Sequence, residues 1–166
     1  MPDALLRALH WLDRLVEWVV VALMVTLVVI VTLQFVDRHF IDTGMAAPDQ
    51  YARVALVWLT FIGFAIAVRS MLNIRVDLID SRLPPRARVS LEVLFDALMV
   101  LLLAVMVPGC WRLIEIGKDQ ELLGTMFTAA IPAAGVLIAL VLMLFYVGLR
   151  LVARLLRFEL PRPEDV

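Results

Sequence analysis

Four stretches of this sequence lack charged side chains for long enough to dictate where it folds. Trp18–Val36 runs 19 residues between Glu17 and Asp37, about 28 Å as a helix and close to the hydrocarbon thickness of a bilayer. Val54–Val68 and Ala97–Trp111 are charge-free for 15 residues each, and Leu122–Leu149 for 28. A chain of 166 residues that is 63% hydrophobic and 19% charged has too little polar surface to cover such segments in water. Soluble domains lie near ~45–50% apolar and ~25% charged, and disorder requires low hydrophobicity. Only helices or closed barrels satisfy backbone hydrogen bonds in lipid. The sequence therefore predicts an all-α integral membrane protein of four helices, forming a single membrane domain over 1–166.

Spans are expected at about 16–36, 51–70, 89–111 and 131–150. The two short runs lengthen through flanking charges that snorkel, with Arg53 and Arg69 bracketing the second helix. The third starts near Val89 and carries Glu92 and Asp96 close to its entrance. The 28-residue run is too long for one untilted span. Pro132 divides it, because proline suits the first turn of a helix and disrupts the interior. Leu122–Ala130 then becomes an apolar surface or interfacial segment. The first apolar run exceeds a signal-peptide core, and Asp13 and Glu17 clutter its basic flank, so a retained helix is expected.

Between the second and third helices, over about 71–83, Leu72, Val76, Ile79 and Leu83 form one helical stripe, while Asn73, Asp77, Asp80 and Ser81 point elsewhere. Pro84 and Pro85 stop the pattern. The stripe predicts an amphipathic helix along the membrane surface; the alternative is that the second helix simply continues. Eleven Lys/Arg residues fall on the side of the termini and of this segment, against four opposite: Arg38, Arg53, Arg112 and Lys118. Both termini are thus expected in the cytoplasm. The opposite side is more acidic, with Asp37, Asp42, Asp49, Glu115, Asp119 and Glu121.

Few side chains converge for chemistry. His10 and His39 are 29 residues apart, about 43 Å along a helix, too far to ligate one haem. The single cysteine, Cys110, excludes an intramolecular disulfide, and a net charge of −1 provides no basic field for nucleic acid. No enzyme motif and no cofactor site is expected. The middles of all four spans hold no charge, whereas an ion-coupled transporter places ionisable or unwound sites near the midplane. Thr26, Thr32, Gln34 and Thr60 are the main polar groups inside the spans, and the hydroxyls are expected to bond their own backbone. Asp49 and Arg53 suit a local i,i+4 pair, Arg88, Glu92 and Asp96 another ladder, and Arg69 is placed to neutralise Glu92 or Asp96. Gly63 with Ala67, and Gly135 with Ala139, are small-residue pairs that permit close helix approach. Trp11, Trp18 and Trp111 fit interfacial belts, and Trp58 sits deeper, as a packing residue.

The stretch YARVALVWLTFIGFAIAVRSMLNIRVDLIDSRLPP, Tyr51–Pro85, resembles the small membrane subunit of tripartite ATP-independent periplasmic (TRAP) transporters, the DctQ-like family. The matching positions are Arg53, Val57-Trp58, Phe61, Gly63, Arg69, Ile74, Val76, Asp77 and Leu83-Pro84. Ile131, Pro132 and Gly135 resemble the opening of the family's last helix. Gln50 replaces a frequent glutamate, leaving Asp49 as the nearest acid, and Asn73 replaces a common histidine. The resemblance implies a four-helix scaffold subunit with a membrane-parallel helix, in the bacterial inner membrane, beside a large multi-span subunit that carries the substrate and sodium sites. A periplasmic substrate-binding protein would deliver an organic acid. Arg53, Trp58, Gly63, Arg69, Asp77 and Pro132 become expected scaffold or partner-interface positions, and Asp42, Asp49 and Asp119 an acidic surface for the binding protein. The alternatives are a self-assembling four-helix channel or small transporter, and a membrane anchor of a redox complex.

Overall fold

The computed structural model describes residues 3–41, 48–71, 85–122 and 124–156. Four helices account for almost all of them: α1 Asp3–Val36, which widens into a π-helical turn over Asp37–Ile41, then α2 Pro48–Met71, α3 Pro85–Gly117 and α4 Ala130–Leu155. Each holds a segment long and apolar enough to cross a bilayer: Leu9–Phe40, Asp49–Arg69, Ser90–Gly117 and Ala130–Leu155. The protein is an all-α, four-helix membrane protein. The expected surface helix, with Leu72, Val76, Asp77, Ile79 and Leu83, lies outside the described residues, as does Asp42.

The helices do not all pack in chain order. α1 packs on α2, α2 on α4, and α4 on α3, so α2 and α4 are central and α1 and α3 flank them. Val16, Ile62, Ala65, Val68, Leu103, Cys110, Ala139, Leu140, Met143 and Val147 form the core, and α4 contributes most to it. On α1, Leu12, Val16, Val20 and Leu23 turn towards that core, a 4-4-3 spacing that marks one helical face. Much of the opposite face of α1, including Trp11, Leu15, Trp18, Val25 and Val28, is exposed. Lipid is as apolar as leucine, so such faces cost nothing in a membrane, and helix association rests on packing and polar contacts.

Two glycines show how close that packing is. A Cβ on Gly135 would lie 2.7–2.8 Å from the Trp58 ring, so the indole rests directly on bare α4 backbone. The same indole donates its Nε1–H to the Ile131 carbonyl at 3.0 Å, which satisfies a polar group that lipid could not. A Cβ on Gly117 would lie 2.8 Å from the Ala130 nitrogen, because the chain returns to the end of α3 before entering α4. Gly63 differs: nothing lies within 4 Å of a Cβ built there. Its small size therefore serves no helix contact within this chain.

The segment between α3 and α4 is a short hairpin rather than a featureless apolar run. Ala129 N–H donates to the Gln120 carbonyl and Leu122 N–H to the Phe127 carbonyl, each at 2.9 Å, and Glu121 bridges Thr128. The turn needs Gly124, whose φ of 79° is strained for other residues. Phe127 packs edge-on against Tyr51 at the start of α2, ring centroids 5.2 Å apart, while Met126 at the tip is 98% exposed.

Candidate functional site

The polar side chains that link helices gather mainly at the end of the bundle where α1 begins and α2 and α4 finish. On α4, Tyr146, Arg150 and Arg154 follow each other at i,i+4, so they share one face. Tyr146 Oη donates to Asp13 Oδ1 of α1 at 3.0 Å. Arg69, from the last turn of α2, forms an ion pair with the same carboxylate. Its guanidinium carbon also stands 5.1 Å from the Tyr146 ring centroid, within cation–π range. Three helices thus meet at Asp13.

One turn further along α4, Arg150 grips Asp96 of α3 through Nε to Oδ2 at 3.1 Å and Nη2 to Oδ1 at 2.8 Å. Arg154 adds Nη1 to Asp96 Oδ2 at 2.5 Å and pairs through Nη2 with Glu92 Oε2 at 3.1 Å. Asp96 is 2% exposed, and accepting three charge-assisted bonds is what makes a buried carboxylate tolerable. Together the two clusters set Arg69, Arg150 and Arg154 against Asp13, Glu92 and Asp96. The cations and anions balance and bond one another, so the arrangement works as a brace across four helices.

The sequence-predicted residues fall in different places. Arg69 does join a polar cluster, but it meets Asp13 rather than Glu92 or Asp96. The reason is that α2 has α1 and α4 as neighbours while α3 lies beyond α4. At the far end Asp49 accepts a hydrogen bond from Gln34 Nε2 of α1, a contact between helices where a local pair with Arg53 was expected; Arg53 is exposed. Trp58 sits at the α2–α4 contact, on the Ile131 carbonyl and Gly135, and Pro132 lies in the first turn of α4. Asp119 is exposed just beyond α3. Thr26 and Thr60 bond the carbonyls of Ala22 and Leu56 at 2.8 and 2.7 Å, their own backbone, as the sequence suggests. His39 stacks on Phe35 of its own helix, ring centroids 4.3 Å apart. Asp13, Tyr146, Arg150 and Arg154 were not singled out from sequence. The available signal was the match between Arg150/Arg154 and Glu92/Asp96, two i,i+4 pairs of opposite sign at the same end of the bundle.

A brace at one end, uncharged span middles and an indole lying on the glycine of an Ile-Pro-x-x-Gly helix start now stand beside the sequence comparison. The profile of the tripartite ATP-independent periplasmic transporters, DctQ component, matches residues 27–158. The chain belongs to this family. The match takes in the described parts of all four helices except the first two-thirds of α1, and it includes Trp58, Gly135 and the α3–α4 clasp. Relatives of the DctQ chain agree. A Haemophilus influenzae protein assigned as a TRAP transporter small permease is 23% identical over 102 residues, 61% of this chain and 63% of the relative. The sialic acid TRAP transporter small permease SiaQ of Vibrio cholerae is 25% identical over 99 residues, 59% of this chain and 57% of the relative. The isethionate TRAP transporter permease DctMQ of Oleidesulfovibrio alaskensis is 29% identical over 119 residues, 68% of this chain but 18% of that longer protein. This chain therefore aligns with somewhat under two-thirds of the first and second of these relatives.

Proposed function

We propose that this DctQ-family chain is the scaffold subunit of a sodium-coupled uptake system for organic acids. It works beside a large multi-span membrane subunit and a periplasmic substrate-binding protein. The carrying observation is the distribution of polar groups. Charges form a balanced, mutually paired brace at one end, and the middles of the spans have none to offer a moving ion or substrate. The relatives' names point the same way. One is named for sialic acid and one for isethionate, both organic acids, and DctMQ extends far beyond the stretch that this chain matches.

In this reading the role is structural and needs no catalytic residue or cofactor. The chain sits in the bacterial inner membrane with both termini in the cytoplasm, because eleven of its fifteen Lys/Arg residues lie on that side. The brace, with Arg69, and the contact of Trp58 with Ile131 and Gly135, at the helix start that Pro132 sets, keep the four helices one rigid body. Arg53, which is exposed, and Gly63, whose missing Cβ would meet nothing among the described residues, face the large subunit, as does the apolar flank of α3. The segment carrying Leu72, Val76, Asp77, Ile79 and Leu83 resists tilting against the membrane surface. Asp42, Asp49 and Asp119 help seat the binding protein.

The test is reconstitution. The chain is purified alone and with its large subunit, and sodium-dependent uptake into liposomes is measured with the binding protein present. Uptake that requires both membrane chains supports a scaffold. Robust flux from this chain alone would overturn it in favour of a self-assembling channel or small transporter.

A further inference from the structure

α1 carries a second polar feature that the brace does not use. Arg14 and Glu17 lie one turn apart on its outer face, immediately before the charge-free run that begins at Trp18. Both are exposed, and among the described residues neither takes part in an ion pair, with each other or with another side chain. Asp13, immediately before Arg14 in sequence, turns inward to Arg69 and Tyr146. Arg14, Glu17, Trp18 and Val21 line one open groove, and Trp11 and Trp18, above and below Arg14, are 72% and 69% exposed. Exposed tryptophans at the end of an apolar run mark the headgroup level of a bilayer. A separated cation and anion at that level, about 5–6 Å apart at their Cβ atoms, leave two opposite charges unmatched over an apolar slot.

We propose that this face of α1 binds a phosphatidylethanolamine molecule. Its phosphate would accept from the Arg14 guanidinium, its primary ammonium would donate to the Glu17 carboxylate, and an acyl chain would follow Trp18 and Val21 down the helix. A headgroup with one negative and one positive site matches the Arg14–Glu17 pair. Phosphatidylglycerol keeps the phosphate but offers Glu17 only a neutral glycerol hydroxyl in place of the ammonium. A quaternary choline ammonium has no N–H to donate to the carboxylate. The residues used touch neither the brace nor the Trp58 contact, so the site is independent of the scaffold reading.

The test is native mass spectrometry of the delipidated full chain, titrated in detergent with phosphatidylethanolamine, phosphatidylglycerol and phosphatidylcholine. The wild type is expected to prefer phosphatidylethanolamine by roughly five- to ten-fold, the net scale of one hydrogen bond at an exposed site. Glu17→Gln removes the preference over phosphatidylglycerol, Arg14→Gln weakens binding of every phospholipid, and Arg112→Gln, an exposed arginine at the other end, changes nothing. Arg14→Lys and Glu17→Asp, which keep the charges, retain the preference and show that loss is not unfolding. Equal binding of the three lipids, or a preference that survives both Gln variants, overturns the proposal. So does loss of the Arg14 and Glu17 dependence once the large subunit is assembled, since a protein then covers this face.

Discussion

Arg150 holds Asp96 with two parallel hydrogen bonds, of 2.8 and 3.1 Å, and so joins α4 to α3 through a carboxylate that is almost entirely buried. Removing one partner of such a pair leaves a charge with nowhere to go, a loss of ~3–5 kcal/mol, whereas replacing both with apolar groups is far less harmful. Asp96→Asn is expected to lower the thermal unfolding temperature in detergent markedly. The double variant Asp96→Leu/Arg150→Leu is expected to lose much less than the sum of its two single changes. Additive losses would show that the pair is not a coupled unit.

Tyr146 contributes to the brace in two ways that substitution separates. Tyr146→Phe removes the hydroxyl bond to Asp13 and keeps the ring beneath Arg69, for an expected loss of ~1 kcal/mol. Tyr146→Leu removes the cation–π contact too, for roughly a further 0.5–2 kcal/mol. Unfolding followed by circular dichroism, with Arg69→Gln as the cycle partner, checks the order.

Gly135 and Gly63 look alike in sequence, each followed four residues on by alanine, and predict opposite outcomes. Gly135→Ala drives a methyl into the Trp58 ring and is expected to destabilise the chain by ~1–3 kcal/mol, the usual cost of overpacking. Gly63→Ala meets open space, so the isolated chain is expected to gain up to ~1 kcal/mol from helix propensity. If Gly63 faces the large subunit, the same change lowers the yield of co-purified complex although the isolated chain is no less stable.

The hairpin between α3 and α4 depends on one backbone conformation. Gly124→Ala places a side chain at a φ of 79°, where the left-handed region costs ~1–2 kcal/mol. The loss is expected to be local, read as faster amide exchange over the hairpin with the four helices unchanged.

Charge reversal at Asp42, Asp49 and Asp119 is expected to weaken the affinity of the binding protein for the assembled membrane subunits and to reduce uptake at low binding-protein concentration. Asp49 also receives the Gln34 hydrogen bond, so Asp42→Lys with Asp119→Lys is the cleaner variant. Unchanged affinity and uptake would remove the acidic surface from the account.

Much of the architecture was legible in one dimension. A bilayer has a set thickness and rejects charge, so uncharged runs report spans, their number and the levels at which polar groups return. The Pro132 break and the TRAP-like stretch around Trp58 were readable for the same local reasons. The partners of the polar residues were not. Arg69 had three acids within plausible depth, and depth was all that the sequence supplied. The Asp49–Arg53 and Arg88–Glu92–Asp96 spacings favoured local pairs, yet Asp49 and Asp96 reached across to neighbouring helices instead.

By itself, the sequence of this protein determined that it is a four-helix membrane chain with empty span middles and charged borders. Only the tertiary structure decided that α2 and α4 are central, that Arg69 belongs to Asp13 and Arg150 to Asp96, and that Gly135 rather than Gly63 is a contact within the chain. The physical reason is that burial in lipid fixes depth along a helix but is nearly indifferent to rotation about its axis and to the choice of neighbour. Those are chosen by interhelical hydrogen bonds and by where an indole ring can lie against bare backbone.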